Sequence, residues 1–162
     1  MTVISQESLD KFEASIEHFD SGAVRFKTDY RYDLMSPVVV DVLLHETYEK
    51  ATEPQFFANA LLNIEDKYDP QDFVTRLIEV TDQPVAVIAH LYAQALHEGA
   101  SKYGERNWEK GLPESNLVNH ALYHLFKLTE GDTSENHLSH LVWNVLTIIH
   151  FREQQAKERS TT

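Results

Sequence analysis

Two apolar runs of helical period, in PESNLVNHALYHLFKLTEG and HLSHLVWNVLTIIHFREQQAKER, are separated by little more than the polar stretch DTSEN. A break that short makes consecutive helices antiparallel neighbours, and this constrains the fold more than any other feature of the chain. Ser115 is read as the cap of the first run and Gly131 as its end, where a left-handed residue costs no Cβ clash. Upstream the same period recurs. Leu9, Phe12, Ile16 and Phe19 in SQESLDKFEASIEHF predict a helix over residues 5–19. EPQFFANALLNIEDKY, DPQDFVTRLIEVTD and QPVAVIAHLYAQALHEGASKY each begin at a proline, as helices favour. VVVDVLLHETYEKA is read as helix by its length and its Glu-Lys end, although its Val run suits a strand. DSGAVRFKTDYRYDLMSP reads as an ordered loop, and neither an internal repeat nor a hairpin signal stands out. The expectation is all-α: a compact helical bundle forming a single domain over residues 1–162, with a polar tail over 152–162 that frays after the last helix.

With 162 residues, 42% of them apolar, the chain can bury a core without disulfides or a structural metal. It contains no cysteine, which excludes thiolate chemistry and fits a reducing compartment. Its opening lacks a basic and apolar leader pattern, and its apolar runs are too short to span a bilayer. A cytoplasmic protein without a membrane partner is expected. The net charge of −12 repels polymeric nucleic acid but leaves room for a small anion in a local basic pocket.

Six of the 14 Lys and Arg residues gather in two short segments. Arg25, Lys27 and Arg31 lie in the first loop; Lys102, Arg106 and Lys110 lie in GASKYGERNWEKGLP. Glycines such as Gly104 let backbone N–H groups approach an anion, and arginine offers a bidentate fork for phosphate. Tyr103 or Trp108 offers a face on which a base can stack. Composition fits equally well a surface on which these cations pair with surplus carboxylates while Trp108 plugs the core. Histidines form the second constellation. His120 and His124 share one helical face, and His137 and His140 share the next, so the pairs can converge near Asp132 and Glu135. Imidazoles at these spacings suit zinc or another transition metal, although helical histidines more often make ordinary hydrogen bonds. Glu98 and Glu105 flank the glycine-rich stretch and could accompany a metal there. Glu46 and Glu49 could face one Mg²⁺, although such pairs are common on solvated helices. Asn144, on an apolar helix, needs partners and could bridge helices or read a ligand edge.

Three blocks carry a resemblance: SGAVRFKTDYRYDLMSP, GASKYGERNWEKGLPESNLVNHALYHLFKLTEGDTSENHL and HLVWNVL. Together they resemble a family of small phage and prophage proteins whose domain is labelled the N-terminal domain of dATP/dGTP diphosphohydrolases. The shared pattern falls on Gly22, Arg25, Arg31, Asp33, Leu34 and Pro37, then on Gly99, Lys102, Tyr103, Gly104, Arg106, Asn107 and Trp108. It continues on His124, Gly131, Asp132, His137, Trp143 and Asn144. Two departures stand out. Tyr123 replaces an arginine usual in the family, and residues 38–83 read as a helical insertion, a lid, dimer or partner surface.

The resemblance implies a helical protein that handles purine deoxynucleotides, splitting a triphosphate into monophosphate and pyrophosphate with a divalent metal, Mg²⁺, Mn²⁺ or a transition metal. On that reading the nucleotide is bound by Arg25, Arg31, Lys102, Tyr103, Gly104, Arg106, Asn107, Trp108, Lys110 and Asn144. His120, His124, His137, His140 and Glu98 are the metal candidates, and His124, Asp132 and Glu135 the catalytic ones. Helical nucleotide pyrophosphatases that bind Mg²⁺ through paired acidic motifs tend to be oligomeric, so a homo-oligomer is expected; here histidines stand where those acids would. Two further readings stay open: a protein that sequesters a nucleotide intact, and an acidic inhibitor of a host protein in the host cytoplasm.

Overall fold

The computed structural model describes residues 5–27, 31–36, 38 and 53–161. Helix α1 (Gln6–Ala14) leads into strands β1 (Ile16–His18) and β2 (Val24–Phe26), followed by a single 3₁₀ turn at Tyr32–Leu34. Then come α2 (Glu53–Leu62), α3 (Ile64–Lys67), α4 (Pro70–Thr81) and α5 (Val85–Tyr103). A 3₁₀ turn at Asn107–Lys110 precedes the two helices that end the chain, α6 (Glu114–Glu130) and α7 (His137–Ser160). The protein is mostly α-helical. The VVVDVLLHETYEKA segment and the Glu46–Glu49 pair lie outside the described residues.

Helices α6 and α7 form the antiparallel pair. Gly131 closes α6 in the left-handed conformation, at φ 79°. Asn136 opens α7 by accepting the Ser139 backbone N–H. At the far end Arg152 grips Glu114 through Nε and Nη2, both at 2.7 Å, so the late turns of α7 are fastened to the first turn of α6. The polar stretch from residue 152 is helical as far as Ser160. The core lies between this pair and α2, α4 and α5, around Phe57, Phe73, Leu77, Leu122, Leu141 and Ile148. Phe57, Phe73 and Leu77 belong to the 38–83 segment, whose described helices α2 and α4 thus form one wall of the core. Ser139 Oγ donates to the Leu91 carbonyl at 3.0 Å and ties α7 to α5.

Three local expectations are corrected. The helix expected over residues 5–19 stops at Ala14, and Ile16–His18 pairs antiparallel with Val24–Phe26. Glu17 stands opposite Arg25 in that hairpin. Its strands are only three residues long and sit in a polar stretch, too short for an alternating pattern to show. Gly22 takes φ 88° in the connecting turn, which lets the chain reverse between Phe19 and Ala23. Ser115 does not cap α6: Pro113 holds the cap position, with no side-chain bond to the helix N–H groups. Finally, the EPQFFANALLNIEDKY helix is interrupted at Asn63, whose amide bonds back to the Asn59 carbonyl at 2.9 Å.

Candidate metal and anion site

Helix α5, the loop after it, the β-hairpin and the α6–α7 pair enclose a cavity of about 670 Å³. Its walls include Arg25, Glu98, Lys102, Tyr103, Gly104, Arg106, Asn107, Trp108, His120, His124, Glu135, His140 and Asn144. That volume is in the range of small-molecule sites.

At one end, the turn between α6 and α7 brings histidines and carboxylates together. His124 Nδ1 lies 2.9 Å from His137 Nδ1. Glu135 Oε1 is 3.3 Å from His137 Nδ1 and 3.7 Å from His124 Nδ1. The other ring nitrogen of His137, Nε2, donates to Asp132 Oδ1 at 3.1 Å, which leaves Nδ1 as a lone pair. Asp132 is itself fixed by the Ser134 backbone N–H at 2.8 Å and by the Ser134 hydroxyl at 2.5 Å. These bonds, and after them the one from His137, hold the Asp132 carboxyl well below the usual carboxylate range. His140 reaches Glu98 Oε2 through Nε2 at 3.2 Å, and its Nδ1 faces Glu135 Oε2 at 3.6 Å.

In the neutral His137 tautomer that donates from Nε2, Nδ1 accepts and His124 Nδ1 donates across the 2.9 Å gap. Ligand atoms 2.0–2.1 Å from one tetrahedral ion stand roughly 3.3 Å apart. The three separations among His124 Nδ1, His137 Nδ1 and Glu135 Oε1, 2.9, 3.3 and 3.7 Å, bracket that value. The triad can therefore hold a metal ion, the ion replacing the shared proton. Two imidazoles and one carboxylate suit Zn²⁺, Mn²⁺ or Fe²⁺ better than Mg²⁺, which prefers oxygen throughout. Asp132 supplies the outer carboxylate that orients a ligating histidine. His120 stands apart from this group, 6.5 Å from His124 between ring centres. Its Nε2 is buried without a hydrogen-bond partner. Burial first, and then the charge of Arg25, drives the His120 pKa down; burial and His140 do the same for His124. Both rings stay neutral at physiological pH.

On another part of the same wall Arg25 enters from β2, near enough for its charge to act on His120 and His124. Its Nη1 donates to Asn116 Oδ1 and its Nη2 to Asn144 Oδ1, each at 2.9 Å, and the guanidinium lies 5.3 Å from the Trp143 ring centre. Desolvation lowers the Arg25 pKa to about 9, against smaller raising contributions from Tyr103 and Glu17. The α5–α6 loop turns at Gly104 (φ 92°) and then at Arg106, a non-glycine residue held at φ 58°. Asn107 anchors that loop to the hairpin by donating to the Val24 carbonyl at 2.9 Å. Lys102 sits over Phe26, at 5.3 Å from the ring centre, while Arg106 pairs with Glu109 and is 77% exposed. Trp108 meets Trp143, His150 and Phe151 edge to face, so it serves as a packed wall. Tyr103 packs on Phe26 in the same manner.

The fold thus gathers most of the expected residues at one cavity. Arg31 is turned away, bound through two nitrogens to Asp33 at 2.7 and 2.6 Å, and lines a separate cleft of about 280 Å³. Lys110 lies beside Gly22, outside the cavity wall. Asn116 and Glu17 did not stand out in the sequence. The only signal for Asn116 was an amide on the face that also carries Asn119 and His120.

The model of the family described as dATP/dGTP diphosphohydrolase, N-terminal, matches residues 63–161, more than half of the chain. The protein belongs to this family. The match contains the whole histidine end, begins inside the 38–83 segment and leaves out the strand that carries Arg25. No curated protein and no solved structure matches the chain. Among the described residues, no helix is long and apolar enough to cross a membrane.

Proposed function

We propose that the protein is a metal-dependent hydrolase that converts a purine deoxynucleoside triphosphate to its monophosphate and pyrophosphate. The observation that carries this reading is one cavity whose wall holds His124 and Glu135, of the His124–Glu135–His137 group, together with an amide-held Arg25. Family membership favours nucleotide handling, and the volume admits a nucleotide.

A divalent ion on His124, His137 and Glu135 would supply Lewis-acid stabilisation of phosphoryl oxygen and lower the pKa of water. The chain's own residues do the rest. Asp132 fixes the His137 tautomer so that Nδ1 faces His124 and Glu135. Glu98, braced by His140 Nε2, receives one proton from the attacking water. The water oxygen bonds to the α-phosphorus as the bond from that phosphorus to the bridging oxygen breaks, and the second water proton stays on the monophosphate. Arg25 and Lys102 take up the charge gathering on the departing pyrophosphate. Asn107 and the Trp108 wall bound the space left for the base.

The test is incubation with each of the four deoxynucleoside triphosphates, with Zn²⁺, Mn²⁺, Mg²⁺ or chelator, followed by chromatography after heat release. Deoxyguanosine or deoxyadenosine monophosphate with pyrophosphate, formed fastest with Zn²⁺ or Mn²⁺, is expected. Recovery of intact nucleotide from the protein under every metal condition would replace the hydrolase with a nucleotide-sequestering protein.

A further inference from the structure

Buried arginines in proteins are ordinarily met by carboxylates, because an uncompensated cation is costly away from water. Arg25 is met by amides. Asn116 and Asn144 each accept one of its N–H bonds, and each spends its own NH₂ group elsewhere: Asn116 on Glu17 Oε2 at 2.9 Å, Asn144 on the His140 carbonyl at 2.7 Å. Those second bonds fix both amides with oxygen toward the guanidinium. Asn116 bonds to both Glu17 and Arg25, and Glu17, with no hydrogen bond of its own to the guanidinium among the described residues, offsets only part of the cost of burial. Trp143 covers one face of the guanidinium. A guanidinium has five N–H donors and the amides use two, which leaves three for a ligand on a side chain that lines the cavity.

We propose that Arg25 is the phosphoryl clamp of the cavity and that Asn116 and Asn144 are its positioning residues, orienting the guanidinium while leaving its charge uncancelled for an incoming polyphosphate. The inference rests on the nucleotide reading and narrows it: the anionic chain of the ligand, rather than its base, is recognised here. It also gives two asparagines a role that depends on their being neutral. Desolvation outweighs the smaller raising contributions of Tyr103 and Glu17 on the Arg25 pKa, and an arriving phosphate opposes that desolvation.

The test is calorimetric titration of inorganic tripolyphosphate into the full chain and into Asn144→Asp and Arg25→Gln, at identical metal loading. Asn144→Asp places a carboxylate at hydrogen-bond distance from the guanidinium. It gives up the bond to the His140 carbonyl, so its fold is checked by circular dichroism, and it should weaken tripolyphosphate binding roughly tenfold or more, because the charge is then cancelled from within. Arg25→Gln should weaken binding to a similar extent, and this second variant decides the matter if Asn144→Asp fails to fold. Wild-type protein that binds no tripolyphosphate, or an Asn144→Asp or Arg25→Gln protein that binds it within about twofold of wild type, would overturn the clamp. The hydrolase reading fails separately. If both variants lose tripolyphosphate but the wild type converts no triphosphate, the clamp stands and hydrolysis falls. If the wild type hydrolyses purine triphosphates and folded Asn144→Asp binds tripolyphosphate unchanged, the reverse holds.

Discussion

At the histidine end of the cavity, His137 is held by Asp132, Asp132 by Ser134, and His140 by Glu98. At the loop end, Lys102 lies over an aromatic ring and Arg106 rides in solvent with Glu109 for company. The first arrangement is built on the α6–α7 pair, its turn and the facing α5; in the second, Lys102 ends α5 and Arg106 sits on the loop that Asn107 pins. The difference teaches where preorganisation is concentrated. Groups that hold a metal need positions set before the ligand arrives, whereas long cations can gather around a polyphosphate once it is present. Arg25 is the exception among the cations, because its amides give it the fixity of the histidine end.

Removing a metal donor should produce the largest effect. His137→Ala or His124→Ala is expected to lower triphosphate hydrolysis by about 100-fold or more and to abolish stoichiometric metal in the purified protein, measured by elemental analysis. Hydrolysis retained at the wild-type rate would disconnect the histidine end from the chemistry. Asp132→Asn comes next. It leaves the ligands in place but disturbs the His137 tautomer, and a 10- to 100-fold loss of metal affinity in a chelator competition is expected.

The third prediction concerns acid, and its sign follows from burial. His120 and His124 have pKa values pushed below their ordinary 6.5, so the unfolded chain binds protons that the folded chain refuses. Their contribution is intact above about pH 6.5 and erodes as the pH falls. At pH 5 the loss reaches up to about 2 kcal/mol for each histidine. Urea midpoints of metal-free protein at pH 7 and pH 5 measure it, and equal midpoints would place both rings in contact with water. The smallest effect belongs to Arg106→Ala. A few-fold rise in KM, with stability changed by no more than about 0.5 kcal/mol, would match an exposed cation recruited by the ligand.

The histidine end was legible in the sequence because helical period fixes which face His120, His124, His137 and His140 share, and Gly131 fixes where the chain turns. Period alone could not separate His120, which shares its face with His124 yet lies outside the ligand group. The hairpin was illegible because three residues per strand carry no pattern, and α1 carries its period without burying any residue. Arg25 was noticed as a cation, but its partners lie 91 and 119 positions away, and no local rule reaches that far. Arg31, beside it in sequence and similar in chemistry, folds onto Asp33 two residues on. Composition drew the two arginines together; the fold sets them apart.

That separation along the chain has a consequence for how the protein comes to exist. Residues from His124 to His140 belong to a single helical hairpin, where contacts close short loops at little entropic expense. The Arg25 amide bonds require the hairpin strands to find α6 and α7 across most of the chain. During folding, the metal-facing corner can therefore take shape well before the clamp does. A metal captured at that stage would brace the α6–α7 pair as the remaining helices arrive, and the cavity would become selective for its anion only in the last step of assembly.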